Sequence, residues 1–174
     1  EDGEVPDART EWRPVLTQAE SLLAGHSKDI EVAAWLVEAL VRIHGFAGLR
    51  DGFRLARELV TRFWDSCYPT LNADGVEERV APLAGLNGQD AEGTLIVPIR
   101  NVAITEGRSV GPFASWHFQQ AVALQQIADP AIRDKRVEAG AVTMELIDKA
   151  GAETEPLFFR TRLEDLAQCR EEFA

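Results

Sequence analysis

Cysteine is nearly absent from this sequence: Cys67 and Cys169 are the only two in 174 residues. That excludes a disulfide scaffold and suits buried thiols in a reducing compartment. Histidine occurs three times, as His26, His44 and His117, on separate segments. No Cys-x-x-Cys or His-x-x-x-His spacing appears, so neighbouring residues supply no transition-metal site, and no cofactor is expected. Methionine occurs once, at Met144, and the chain opens on Glu1-Asp2-Gly3-Glu4 in place of an initiating Met with a basic and then apolar leader. It reads as a piece of a longer protein in which nothing directs export. Basic residues are scarce: 18 Lys and Arg face 29 Asp and Glu, a formal charge of −11 that repels a phosphate backbone and argues against nucleic acid. Charges interrupt the apolar stretches, the longest at 32–43 included, so no membrane insertion is expected. What is present is 45% hydrophobic and 27% charged residues, the composition of a single soluble domain around one core.

Helical periodicity organises that apolar content. After a polar and flexible segment at 1–10, Thr10 is placed to cap a helix with Trp12, Val15, Leu16, Ala19, Leu22 and Leu23 along one face. Gly25-His26-Ser27 breaks it, Ser27 or Asp29 caps again, and Val32, Ala33, Leu36, Val37, Leu40 and Ile43 recur until His44-Gly45. A third stripe, Leu49, Phe53, Ala56, Val60, Phe63 and Trp64, runs to a stop at Tyr68-Pro69. An irregular, turn-rich connection at 70–75 leads to a short helix with Val80, Leu83 and Leu86. Leu95–Ile99 fits a strand or a buried helical turn, and is read as helix. Gly107–Pro112 is a loop, Ala114–Ile127 a helix ended by Asp129-Pro130, and Thr143 caps Met144–Ala150. Thr154 is expected to cap the last helix, with Pro156 in its first turn and a stripe of Phe159, Leu163, Leu166, Cys169 or Arg170, and Phe173. The fold class is all-α, a bundle of about six to eight helices.

Catalytic chemistry finds little to stand on. Asp74, Glu77 and Glu78, or Asp90 and Glu92, lack the alternating oxygen ligands of a calcium loop. Glu164, Asp165, Glu171 and Glu172 read as the solvated face of the last helix, offset by Arg160, Arg162 and Arg170. His44, just before Gly45, is placed to cap carbonyls at a helix end. Gly45 suits a left-handed helix terminus, and Gly48 and Gly52, four apart, leave a smooth face that another helix can approach closely.

One ordered block of residues goes further. Trp35-Leu36, Glu38-Ala39-Leu40, His44-Gly45-Phe46-Ala47-Gly48-Leu49, Gly52, Trp64-Asp65 and Tyr68-Pro69 succeed one another, with Glu78-Arg79, Pro82-Leu83 and Leu95…Pro98-Ile99-Arg100 downstream. This block closely resembles the ImpA/TssA N-terminal domain family, more loosely from Thr105 to Ala139. The resemblance implies a cytoplasmic, non-catalytic component of the bacterial type VI secretion system, a contractile apparatus of baseplate, tube and sheath. It implies protein partners among those parts, and motif residues such as Trp35, His44, Gly48, Trp64 and Tyr68 that serve as core and turn; because assembly proteins commonly act as oligomers, self-association of this piece is expected to reach at most a dimer. The competing reading is a small helical enzyme or ligand-binding domain with a pocket near His44, Trp64 and Tyr68. A polar cleft joining His44, Asp65 and Tyr68 would favour it.

Overall fold

The computed structural model describes residues 8–71, 75–88 and 91–174. Among them are eight α-helices, one 3-10 turn at Trp64–Ser66 and no strand: α1 (Ala8–Gly25), α2 (Ile30–Phe63), α3 (Gly75–Asn87), α4 (Ile96–Asn101), α5 (Ser115–Gln125), α6 (Pro130–Glu138), α7 (Met144–Glu153) and α8 (Pro156–Phe173). The all-α expectation holds, and the ambiguous run at 95–99 enters a helix. Of the segment expected to be flexible, residues 1–7 lie outside the described residues. Helix α1 begins at Ala8, so Thr10 is inside the helix and is not its cap. The chain divides into two compact units, Glu1–Ile99 with Asp165–Ala174, and Arg100–Glu164. Where length suggests one core, each unit carries a buried cluster of its own.

In the first unit, Asp29 caps α2 by accepting the amides of Glu31 and Val32 at 2.9 and 3.1 Å. The helix breaks at Gly45, whose φ of 64° and ψ of −137° strain any residue with a Cβ. Its two arms, 30–44 and 46–63, fold back on each other. A Cβ on Gly48 would sit 2.0 Å from the carbonyl oxygen of Leu40, and one on Gly52 would sit 3.0 Å from Val37. In a straight helix, residues 52 and 37 would be about 22 Å apart. Helix α1 lies along this hairpin, and Ala19, Leu23, Ile30, Ala33, Leu36, Leu59 and Cys67 are buried together. Each fully buried Leu or Ile there contributes about 1.5–3 kcal/mol of hydrophobic free energy.

The stretch Ile30–Ser66 is, by length and composition, apolar enough to cross a bilayer, contrary to the sequence expectation. Half of its most apolar window is buried inside the protein, and Gly45 folds it into two arms, as befits the central helix of a core.

In the second unit, Phe113, Ala121, Ile147 and Ala150 form the buried cluster. Asp129 caps α6 through the amide of Ala131, and Thr143 caps α7 through that of Leu146. His117 takes the place that Glu or Gln holds in a capping box: the Ala114 amide donates to its Nδ1 at 3.0 Å. Thr154 does not cap α8. Its hydroxyl donates to the Ala150 carbonyl at 2.7 Å and accepts the Glu106 amide at 2.9 Å, tying the 103–114 loop to the end of α7.

Candidate interaction surface

The motif block divides into a buried and an exposed set. Leu36, Ala39, Phe46, Gly48, Leu49 and Gly52 are buried along the α2 hairpin, and Leu40 is packed at the edge of the core. Gly45 makes the reversal. Glu38 pairs with Arg42 at 2.8 Å, and the Arg42 guanidinium lies 4.2 Å from the Trp12 ring. Trp64 is half-buried under the guanidinium of Arg79, 4.9 Å from its ring. Trp35 and Tyr68, expected among core and turn residues, are instead 50% and 51% exposed, and His44, Asp65 and Pro69 are exposed too.

The cleft that would favour catalysis is not formed. The Tyr68 amide donates to Lys28, and the Ile30 amide donates to Tyr68, which fixes this tyrosine at the start of α2. His44 ends the first arm, 14 residues and about 21 Å further along. Burial falls on Arg79 instead, 3% exposed, which donates to the carbonyls of Pro69 at 2.7 Å and Trp64 at 2.6 Å. A buried arginine clamping two backbone carbonyls under a cation–π contact is a structural pin for the turn that presents Tyr68. No group of three or more His, Cys, Asp or Glu suited to a metal occurs among the described residues.

Helix α8 keeps only Cys169 of its expected stripe buried. Its inward residues are Asp165, 5% exposed, and Cys169. Asp165 accepts from Arg50 at 2.6 Å, and Glu172 pairs with Arg54 at 2.8 Å and Arg57 at 2.7 Å. Two of the four acids assigned to a solvated face thus turn inward onto α2. The rest of that stripe is largely in water: Leu163 is 67% exposed, and Phe173 is 69% exposed although its ring meets that of Phe53 at 5.2 Å. The missed partners left a signal in the sequence, since Arg50, Arg54 and Arg57 at i, i+4 and i+7 share one helical face. Cys169 donates to the Phe46 carbonyl at 3.4 Å, and burial, reinforced by Asp165, pushes its thiol up to about 11, so it stays protonated.

The first unit also holds an apolar groove of about 380 Å³, walled by Phe53, Val60, Leu83, Leu86, Ile99 and Phe173. Its charged lining, Arg57 and Glu172, is held in an ion pair. That chemistry suits an apolar side chain and offers no acid–base pair for turnover.

Residues 1–88, about half of the chain and inside the first unit, match the family described as ImpA, N-terminal, type VI secretion system. The chain belongs to the ImpA N-terminal family. The ImpA N-terminal segment carries the α2 hairpin and the Trp35–Pro69 block, where the resemblance was legible. Similarity extends past it: the chain is 33% identical over 140 residues to the type VI secretion system component TssA1 of Pseudomonas aeruginosa. That match takes in 80% of this chain and 40% of the length of the curated relative. A solved N-terminal domain of the TssA component from Burkholderia cenocepacia, which includes the conserved ImpA N-terminal region, superposes with a TM-score of 0.84 at 29% identity. It covers 98% of this chain and 67% of the solved one. The chain is therefore a TssA-type domain of the type VI secretion system, in agreement with the expectation from its motifs.

Proposed function

We propose that this domain is a non-catalytic, cytoplasmic docking module that binds baseplate, tube or sheath components while the secretion apparatus assembles. One observation carries the reading: Trp35 and Tyr68, two aromatics of the family block, leave half their surface in water at the same end of the α2 hairpin. Exposed Trp and Tyr are the residue types that dominate protein–protein binding energy. The buried motif positions Leu36, Ala39, Phe46, Gly48, Leu49 and Gly52, with the break at Gly45, build the hairpin that presents them. The charge of −11 adds long-range attraction toward less acidic partners.

Binding of the domain to purified baseplate, tube and sheath components, at low and high salt, tests this. At ~0.15 M salt the screening length is about 8 Å, so the rim contribution fades as salt rises while the desolvated aromatic contact persists. Partial loss of affinity is the expected result. No binding to any component, with turnover of a small molecule that depends on His44 or Asp65, would overturn the reading.

A further inference from the structure

Helix α6 has no buried residue, and its two large apolar side chains, Ile132 and Val137, are 50% and 41% exposed. Isolated helices shorter than about 12–15 residues are marginal in water, and most helices owe their stability to the face they pack. This one is held by its ends instead. Asp129 accepts the Ala131 amide, and Pro130 fills the first turn. Past the C-terminus, with Gly140 at a φ of 91°, the amides of Gly140 and Ala141 donate to the carbonyls of Val137 and Arg136, both at 2.9 Å. Caps at both ends and bare sides describe a helix preformed for a neighbour that its own unit does not supply. Beside it lies a groove of about 530 Å³, wholly within the second unit. Leu124 of α5 and Met144 of α7 give the groove its apolar wall, α6 turns Arg133 and Val137 toward it, and Glu145 joins the lining. The α5 side brings no charge: Ser109 to Ala128 contains no Asp, Glu, Lys or Arg, although 27% of the chain is charged. Depletion of charge marks the centre of an interface.

We propose that this groove binds an acidic amphipathic helix of a partner protein, an apolar side chain entering between Val137 and Met144 and a carboxylate resting between Arg133 and Arg136. Charge selects the partner. Arg133 and Arg136 are neighbours one turn apart on one flank of the groove-facing side, Asp134 and Glu138 fall on the other flank, and Lys135 points away, by the helical period of about 3.6 residues. Among the described residues neither arginine is in an ion pair, an exception on a chain with 29 acidic residues. Glu145, the acid of the lining, is taken up by Thr143 and its own amide. A guanidinium fork left open in this way is complementary to a carboxylate, which it can bind in bidentate fashion. A helix is the form that fits, since the walls are themselves helices and offer no strand edge to pair with. This is a second surface, on the other unit, and it does not rest on the reading of Trp35 and Tyr68.

Met144 is the single methionine of the chain, so isotope labelling of its methyl group gives one NMR signal, and that methyl belongs to the groove. The probe is a capped amphipathic peptide of about three helical turns, leucines along one face and glutamates on the flank, beside a twin with lysines for the glutamates. The acidic peptide shifts the Met144 signal, and the lysine twin binds at least ~10-fold more weakly. Arg136→Glu, at an exposed side chain, keeps the circular dichroism of the parent and weakens the acidic peptide ~5–10-fold. Val137→Glu sets a charge in the groove and abolishes binding. Lys135→Glu makes the same charge change on the far side of α6 and costs less than ~2-fold at ~0.15 M salt. A Met144 signal that stays put at ~1 mM acidic peptide overturns the proposal. So does a lysine twin that binds as well, or a Lys135→Glu that loses as much as Arg136→Glu. A signal that moves when the protein alone is concentrated assigns the groove to a second copy and overturns the acidic partner. The probe contains no secretion component, so failure here and failure of docking through Trp35 and Tyr68 are separate results.

Discussion

Adding one methyl group at Gly48 interrogates the hairpin that the fold is built on. A Cβ there would stand 2.0 Å from the Leu40 carbonyl oxygen and 2.5 Å from its carbon, both backbone atoms that no rotamer can move. Ordinary contact needs about 3.4 Å or more, so Gly48→Ala forces the two arms of α2 apart by over an ångström and loosens Val37, Val41, Phe46 and Leu49 together. Overpacking of a tight core costs about 1–3 kcal/mol, here at the upper end or above it because backbone must move. The helix propensity gained by alanine returns about 1 kcal/mol. A net loss of about 2–3 kcal/mol lowers the melting temperature of a domain this size by roughly 4–12 °C. Gly52→Ala meets both Val37 methyls at 3.0 and 3.2 Å and the Val37 Cα at 3.2 Å, a milder clash that needs a shift of only a few tenths of an ångström, and should lose about 1–2 kcal/mol, less than Gly48→Ala. Gly25→Ala meets nothing within 4 Å and should be neutral or slightly stabilising. Urea and thermal unfolding followed by circular dichroism rank the three. If Gly48→Ala melts with the parent, or no lower than Gly25→Ala, the close-approach argument is wrong.

Arg79→Met removes two charge-assisted hydrogen bonds and the stack on Trp64, and should destabilise the first unit by about 2–4 kcal/mol in urea titrations. Asp165→Ala leaves Arg50 without its inward partner and should cost about 1–3 kcal/mol, less than a fully buried pair because Arg50 is partly exposed and also bonds Asp51. Burial holds the His117 imidazole below its usual pKa, so the neutral ring is favoured on folding. Its contribution is complete above about pH 6.5 and is lost as pH falls through the lowered folded value. Stability measured from pH 7.5 to 5 should therefore decline, and His117→Gln should flatten that decline. Both thiols should resist a thiol-reactive dye until the protein unfolds, Cys67 because it is fully buried and Cys169 because burial keeps it protonated as well.

The parts of the fold legible in the sequence are those where local pattern and tertiary packing agree. The stripes of α1 and of both arms of α2, the break at Gly45, the cap at Thr143 and, of the two candidates Ser27 and Asp29, the cap at Asp29 appear where spacing and residue type place them, whereas Asp129, read as ending one helix, also caps the next. Gly48 and Gly52 are the points of close approach that their small size suggests. Helix α8 was misread because an apolar stripe states that a face avoids water without saying whether the neighbour lies in the same chain. The arginine stripe at 50, 54 and 57 is what outcompetes it, since three guanidinium groups on α2 draw Asp165 and Glu172 inward. Trp35 and Tyr68 escaped for a related reason: aromatic character predicts burial on average, and the pattern of a helix cannot tell burial in a core from burial in a complex. The span at 30–66 passes a length and hydropathy test because both arms of a buried hairpin are apolar, and only the break at Gly45 reveals that they pack on each other.

The central claim is that Trp35 and Tyr68 serve binding and not folding. The most direct measurement is calorimetric titration of the parent and of the Trp35→Ala/Tyr68→Ala double variant into each purified secretion component, beside the melting temperature of both proteins. Two interface aromatics are worth about 2–4 kcal/mol each, so the double variant should lose affinity at least ~700-fold toward the component that binds, with a melting temperature close to that of the parent. Unchanged affinity in a folded double variant, or a collapse of stability that matches the loss of binding, would contradict the account.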